Sequence, residues 1–342
     1  MERVLVTGAG GYIGTTLVPI LLAEGYAVRA LDRFFFGRYL LPEHEKLEQI
    51  QCDSRCLEQA WFEGVDHVVD LVAISNDPSG ELFQEATYQI NHESRVRCAT
   101  MAKAAGVKRY ILPSSCSIYG FQDPAMRCDE TYKTNALTTY AKANEMAEHG
   151  VLPLADDDFC VVVLRQATVY GYSPRMRFDL AINGMVYGAW KTGILPLMRD
   201  GSQWRPMVHV RDTASAQIFM LRAPKEKVKG QLFNVGSDEN NYQLGPLAEM
   251  ICEVLPTEVK IEWYGDADHR SYRVNFDKIE ALGWKAKHTA REGALEIYEK
   301  LAAGAVDRTT ETITLEWYQT LTKWHQIIKQ VELHDGIINI NL

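Results

Sequence analysis

Val4-Leu5-Val6-Thr7-Gly8-Ala9-Gly10-Gly11-Tyr12-Ile13-Gly14 joins an apolar run, a glycine cluster and the start of a helical pattern. A strand that ends in a glycine turn and opens a helix makes a phosphate cradle. Its glycines let backbone N–H groups approach a pyrophosphate, whose charge then sits at a helix N-terminus. Gly8, Gly11 and Gly14 give GxxGxxG spacing, and the next strand-like run, 27–31, leads into Asp32. A glycine triplet alone also serves plain turns; an acidic residue after the second strand adds an acceptor for the hydroxyls of an adenosine ribose and repels a 2′-phosphate. The conjunction predicts a bound dinucleotide, NAD in preference to NADP. Arg33, immediately after Asp32, is the one residue that argues the other way, since an arginine there can accommodate a 2′-phosphate. Asp53, in Cys52-Asp53-Ser54-Arg55, carries two readings, a partner for the adenine amino group and an N-cap for a helix over 57–62.

Working outward, apolar runs at 4–7, 27–31, 67–71, 110–113 and 160–165 alternate with helical patterns near 13–24, 57–62, 91–105 and 140–152. That alternation predicts an α/β fold, a doubly wound parallel sheet with right-handed crossovers. After about residue 171 the pattern loosens into loops containing Pro174, Pro196 and Pro206, then resumes with a strand at 231–235 and a helix near 244–255. The expected organisation is a dinucleotide-binding domain over 1–171, to which 205–240 returns, with a smaller interleaved lobe and a C-terminal helix over 172–342. Trp317, Leu321, Trp324, Ile328 and Val331 mark an apolar helical stripe, read first as packing on its own chain and second as a subunit contact.

The 342 residues are 46% hydrophobic and 24% charged, enough to bury a substantial core, and the net charge of -9 has the wrong sign for nucleic acid or anionic lipid. No apolar run approaches a membrane span, and Met1-Glu2-Arg3 leads straight into the first strand, which predicts a cytoplasmic protein without a leader. The seven cysteines form no CxxC pair and there is no zinc-like His cluster, so reduced packing thiols and no metal are expected.

Further motifs accumulate along the chain: Asp70-Leu71-Val72-Ala73, Asn91 opening a helix, Ser114-Ser115-Cys116-Ser117-Ile118-Tyr119-Gly120, Tyr140, Arg165 with Val169-Tyr170-Gly171, Gly201-Ser202-Gln203-Trp204-Arg205 before Val208-His209-Val210-Arg211-Asp212, Asn234-Val235-Gly236 and Leu282-Gly283-Trp284. With the glycine turn, these make residues 3 to 300 resemble an extended short-chain dehydrogenase/reductase of the NAD-dependent epimerase/dehydratase family, which acts on nucleotide sugars. The resemblance implies hydride chemistry in which Tyr140, as phenolate, takes a sugar hydroxyl proton while Ser115 hydrogen-bonds the same oxygen. It also implies a cofactor shell. Gly8, Gly11, Tyr12, Ile13, Gly14, Asp32 and Arg33 take the first turn and ribose, Asp53 and Ser54 the adenine side, and Leu71, Val72, Ala73, Asn91, Tyr140, Asn144 and Thr168 the remainder.

Three departures from the family pattern stand out. A lysine is usual four residues after the tyrosine, bonding the nicotinamide ribose and lowering the tyrosine pKa; here that position is Asn144. Lys142, two residues on, points about 200° around the helix and is no substitute. Asn144 retains a donor for the ribose but no charge, a loss on the order of a few kcal/mol at an effective dielectric near 20. A slow or alkaline-shifted proton transfer follows, or a substitution introduced to trap a complex. The 4,6-dehydratases of the family carry Asp-Glu where Cys116-Ser117 stand, which argues against dehydration, and Cys116 reads as a small apolar liner beside the nicotinamide. Thr168 replaces the usual asparagine.

From Arg165 to Arg211 the segment is net +5, with Arg165, Arg175, Arg177, Lys191, Arg199, Arg205 and Arg211 against Asp179 and Asp200. Such a reversal suits a diphosphate. The expected substrate residues are Asn76, Ser117, Arg175, Arg177, Asn183, Arg205 and Arg270, with turn chemistry the plainer reading of Asn76-Asp77-Pro78. His209 reads as a satisfied core histidine. The function expected is a nucleotide-sugar epimerase working through a 4-keto intermediate; a 4-dehydrogenase or 4-ketoreductase, or a non-catalytic NAD-binding protein, stands behind it. A homodimer through 91–105 and 140–152 is what the resemblance implies.

Overall fold

The computed structural model describes residues 1–123, 125–266 and 270–332. Its strands are β1 (Arg3–Thr7), β2 (Ala27–Asp32), β3 (Leu47–Gln51), β4 (His67–Asp70), β5 (Arg109–Ser115), β6 (Cys160–Gln166), β7 (Thr168–Tyr170), β8 (Ile194–Met198), β9 (Trp204–His209), β10 (Gln231–Val235), β11 (Asn241–Gln243) and β12 (Lys260–Tyr264). The helices are α1 (Gly14–Ala23), α2 (Asp77–Leu82), α3 (Gln84–Tyr88), α4 (Ser94–Ala104), α5 (Thr139–Val151), α6 (Ala181–Thr192), α7 (Val210–Arg222), α8 (Lys225–Val228), α9 (Leu244–Val254), α10 (Asp277–Ala281), α11 (Ala290–Ala302) and α12 (Thr314–Val331).

Seven parallel strands lie in the order β10-β6-β5-β4-β1-β2-β3. Helices cover both faces, so the inner strands are buried almost throughout, β6 along its whole length. The strand order reverses between β1 and β4, which pair with Thr7 opposite Asp70. A crevice at the carboxyl ends of the strands is expected at such a switch point.

The second lobe holds two small sheets, β11-β9-β7 and β12-β8, over a core of its own that includes Ile182, Val186, Leu195, Leu247 and Ile297. Here the expected loops give way to strands: Pro196 lies in β8 and Pro206 in β9. Proline is tolerated because β8 pairs on one side only and β9 meets β7 from Met207 onward. The stretch 57–62 forms only a 3₁₀ turn over Gln59–Phe62, and Asp53 caps an earlier one, accepting from Arg55 N. Asn91 does not open a helix; it lies in a π-helical turn, Gln89–Glu93, between α3 and α4. The stripe on α12 divides: Trp317 is buried, whereas Trp324, Ile328 and Val331 are exposed. Among the described residues no helix is long and apolar enough to cross a membrane, and no cluster of His, Cys, Asp and Glu could hold a metal ion.

Candidate active site

A cavity of about 740 Å³ opens at the switch point and runs from the β1–α1 turn to the second lobe. At its first end the glycine turn is sterically enforced. Gly8 has φ +65°, and a Cβ there would stand 2.7 Å from Val72 N, while a Cβ on Gly14 would overlap the carbonyls of Gly8 and Ala9. Asp32 lines this end and is held by the backbone, accepting from Gly10 N (3.0 Å) and Phe34 N (2.6 Å). Burial pushes its carboxyl above the usual range, and those two N–H groups oppose the push. Arg33 and Asp53 line the same end, paired at 3.0 Å, with Arg33 stacked over Phe35. Arg55 then Arg33 hold the Asp53 carboxyl down at about 2. Arg33 shares the Asp53 carboxylate with Arg55, while Asp32, held at the glycine turn, is the acceptor that suits NAD.

Arg175 belongs to this end and not to the sugar-nucleotide end where it was expected. Ser173 and Arg175 are tied to the start of α1, Ser173 Oγ donating to Tyr12 O (2.7 Å) and Arg175 N to Thr15 Oγ1 (3.4 Å). The guanidinium lies 3.8 Å over the Phe36 ring, donates from Nη2 to Thr314 Oγ1 and acts on Asp32 through its charge. Its Nε and Nη1 are buried with no partner, and burial and then Arg177 push its pKa down to about 10. Arg175 lines the cavity, and a buried cation with no carboxylate bonded to it is unfavourable until an anion arrives. Together with the glycine turn, it makes the residues present fit a dinucleotide pyrophosphate.

Sequence reasoning missed the cavity's outer wall. Tyr318, Leu321 and Thr322 of α12 line it, so Leu321, read with the Trp317 stripe as packing, joins two residues that the stripe leaves out. Trp317 Nε1 donates to Phe35 O (2.9 Å), and Tyr318 packs edge-on against Phe35 and Phe83. The i, i+3, i+4 spacing of Tyr318, Leu321 and Thr322 was the available signal.

In the middle stand Tyr140, near the start of α5, and Ser115, which ends β5. Thr138 caps α5 by accepting from Ala141 N, fixing the helix start beside the β5 exit. Burial raises the Tyr140 phenol; Arg95 and the Ser115 hydroxyl favour its ionised form, Asp77 opposes and Arg177 assists. A Cβ on Gly80 would come within 3.3 Å of the Tyr140 Cβ, so α2 packs closely on the start of α5. Ser117 lines the cavity with an unpartnered Oγ. Cys116 faces the other way, into the main core, where its Sγ meets Arg165 O and burial raises the thiol well above its usual value. It is not a liner of the cavity.

Three predicted asparagines do not reach the cavity because the backbone and neighbouring side chains use their amides. Asn91 accepts from Ile74 N (2.8 Å) and donates to Ile74 O (2.9 Å), pinning the stretch after Ala73. Asn183 accepts from Gly171 N and donates to Tyr12 OH and Arg177 O. Asn144, 1% exposed, donates to Tyr140 O (2.8 Å) and accepts from Arg95 Nη1 (2.7 Å), so it offers nothing to a ribose. Tyr12, Ile13, Ser54, Leu71, Val72, Ala73 and Thr168 do line the cavity.

At the far end are Arg205, over the Tyr272 ring at 5.5 Å, and Arg270, paired with Asp77. Arg205 Nη1 donates to Trp204 O and to Arg270 O, holding the two arginines together. Arg177 lines the wall between the ends, bonded to Asp179 (2.7 Å) and Ser75 Oγ (3.0 Å). Burial pushes Asp179 up, but Arg177, with Arg175 and Asn76, holds it at about 2. Asn76 caps α2, accepting from Ser79 N, and its Nδ2 donates to Asp179, so turn chemistry and a place on the wall coexist. The net +5 of 165–211 overstates the free charge: Arg165 pairs with Glu148 and Arg211 with Glu296, both acids outside the segment. His209 is the satisfied core residue expected, bonded to Glu296. Asp268 and His269, just before Arg270, lie outside the described residues.

Comparison with known proteins points the same way. The chain is 28% identical to UDP-arabinose 4-epimerase 1 of Arabidopsis thaliana, over 92% of this chain and 83% of that one. It is 29% identical to UDP-glucose 4-epimerase of Mycolicibacterium smegmatis, over 87% and 97%. The solved structure of MoeE5 in complex with UDP-glucuronic acid and NAD is similar at a TM-score of 0.77 and 25% identity, covering 89% of this chain and all of that one. The NAD-dependent epimerase/dehydratase family model matches residues 4–236, and the chain, with its glycine turn, Asp32 and switch-point cavity, belongs to that family.

Proposed function

We propose that the protein is an NAD-dependent nucleotide-sugar 4-epimerase acting on a uridine diphosphate sugar through a 4-keto intermediate. The observation that carries the proposal is the placement of Tyr140 and Ser115 midway along one cavity, with Asp32 and Arg175 at one end and Arg205 and Arg270 at the other. Bound NAD supplies a site that accepts hydride from the sugar C4 and returns it. Tyr140, as phenolate, takes the C4 hydroxyl proton and later gives it back; the Ser115 hydroxyl hydrogen-bonds the same oxygen. Arg205 and Arg270 bind the sugar-nucleotide diphosphate, and Arg175 the cofactor pyrophosphate.

The wall formed by Tyr318, Leu321 and Thr322 favours epimerisation over net oxidation, because an epimerase must keep its cofactor between the two hydride steps. About one NAD or NADH released per chain on denaturation, with interconversion of a UDP-sugar and its C4 epimer, is the expected result; an empty protein that needs added cofactor for net turnover would overturn the reading. Arg175→Met is expected to weaken cofactor retention by at least about tenfold, since a charge-assisted bond is lost. Equilibrium dialysis against NAD checks it, and unchanged affinity would remove Arg175 from the pyrophosphate. The enzyme is further inferred to pair as a homodimer through α4 and α5, where Met146 is exposed; sedimentation at a single-chain mass would refute this.

A further inference from the structure

Tyr140 needs a nearby cation if it is to ionise in a buried site, and Asn144 carries none. The charge is nevertheless close by. Arg95, from α4, is 2% exposed, donates from Nε to Val72 O (2.9 Å) and from Nη1 to Asn144 Oδ1 (2.7 Å). Asn144 in turn donates to the carbonyl of Tyr140, one helical turn back on the same face of α5. Guanidinium donates only, so the amide oxygen must face Arg95 and the amide nitrogen Tyr140, and the assembly has one arrangement.

We propose that Arg95 is the positioning cation of the active site, relocated from α5 to α4 and steered by Asn144, whose field stabilises the Tyr140 phenolate. The inference rests on the reading of Tyr140 as the proton acceptor. Asn144 is then the matching half of an exchange, since a lysine at 144 would bring an ammonium against Arg95 where a hydrogen-bond acceptor now stands. Restoring lysine alone is not a repair.

Other charges bear on the same phenol. On α2, Asp77 raises its pKa and is itself paired with Arg270; Glu81 accepts from Thr139 N beside it. From the segment before α6, Arg177 lowers it while paired with Asp179. From β5 comes only the neutral Ser115 hydroxyl. Behind Arg95 lies the buried Asp70, which accepts from Thr7 and Tyr110 and feels the Arg95 charge. Arg95 is the first of the surrounding charges acting on Tyr140, and among the described residues its hydrogen bonds go to Val72 O and Asn144 Oδ1, not to a carboxylate.

The test is the ionisation midpoint of Tyr140, read as the ultraviolet phenolate difference between each protein and its Tyr140→Phe counterpart, beside the pH profile of kcat. Arg95→Gln keeps a hydrogen-bond donor but no charge and is expected to raise the midpoint by about one pH unit or more. Arg95→Lys is expected to stay near wild type, and Arg95→Gln with Asn144→Lys to return close to it. An unmoved midpoint in Arg95→Gln, or an Arg95→Lys shift as large, overturns the proposal. If Arg95→Gln does not fold, the double variant decides: a midpoint near wild type supports the exchange, and one about a unit below it shows that Arg95 contributed nothing. If Tyr140→Phe keeps full epimerase activity, the proton-acceptor reading fails, yet the phenolate titration still reports on Arg95.

Discussion

Replacing Tyr140 by phenylalanine is expected to lower kcat for C4 epimerisation by about 10³-fold while leaving bound cofactor in place, since general acid–base groups of this kind contribute roughly 10²–10⁴. The Cβ would still pack against Gly80, and only the hydroxyl is lost. The residual rate should also lose its alkaline dependence. Burial raises the Tyr140 pKa, so the phenolate fraction and with it kcat climb as pH rises toward that pKa; phenylalanine has no such limb. Steady-state rates in both directions across pH, with nucleotide released per chain, are the measurement. A variant within tenfold of wild type, or one with the same pH limb, would exclude Tyr140 as the proton acceptor. Ser115→Ala should cost less, because it removes one neutral hydrogen bond to the same oxygen.

The largest stability effect is expected from Glu148 and Arg165, an ion pair closed on both sides by protein. Arg165 Nη2 donates to Glu148 Oε2 (2.7 Å) and Nε to both oxygens (3.1 Å), and the two side chains are 6% and 1% exposed. Ser114 Oγ donates to Glu148 Oε1 (2.5 Å), and Arg165 Nη1 to Tyr119 OH (3.1 Å). Glu148→Ala leaves a buried guanidinium without its counter-ion and should cost about 3–5 kcal/mol. Exchanging both residues, Glu148→Leu with Arg165→Met, should recover much of that, because the loss comes from the uncompensated charge more than from the pair itself. Urea unfolding of the three proteins tests it; a Glu148→Ala loss under about 1 kcal/mol would mean that water reaches the pair. Ser114 precedes Ser115, so the single variant should also loosen the β5 exit and lower kcat.

The main sheet was legible because its strands are buried on both faces: 4–7, 110–113 and 160–165 are nearly unbroken apolar runs, and each matches a strand to within two residues at either end. Strands β8 and β9 were hidden by Pro196 and Pro206, whose usual meaning holds for inner ladders. The start of the long helical stretch was placed at Asn91 because 84–88, Gln-Glu-Ala-Thr-Tyr, has no apolar period to announce α3. Charge counting failed for the arginines because pairing is a matter of space: Glu148 and Glu296, which hold Arg165 and Arg211, lie outside the segment counted. The asparagines were assigned to ligands for the same reason, their backbone partners being invisible in one dimension. Arg95 did have a signal. It shares the helical face of Cys98, Ala99 and Ala102, all buried, and a cation on an apolar face marks a site that uses charge.

The contribution of α12 to the cavity wall has a consequence for biosynthesis. Every strand of the main sheet leaves the ribosome well before Thr314 to Thr322 do, so a nascent chain can complete its seven-stranded core while its dinucleotide cleft still lacks the Tyr318 side. Cofactor capture is therefore among the last events in the maturation of the enzyme. Proteolytic clipping before Thr314 should then yield a folded sheet that has lost its nucleotide, with absorbance of the released fraction reporting the cut.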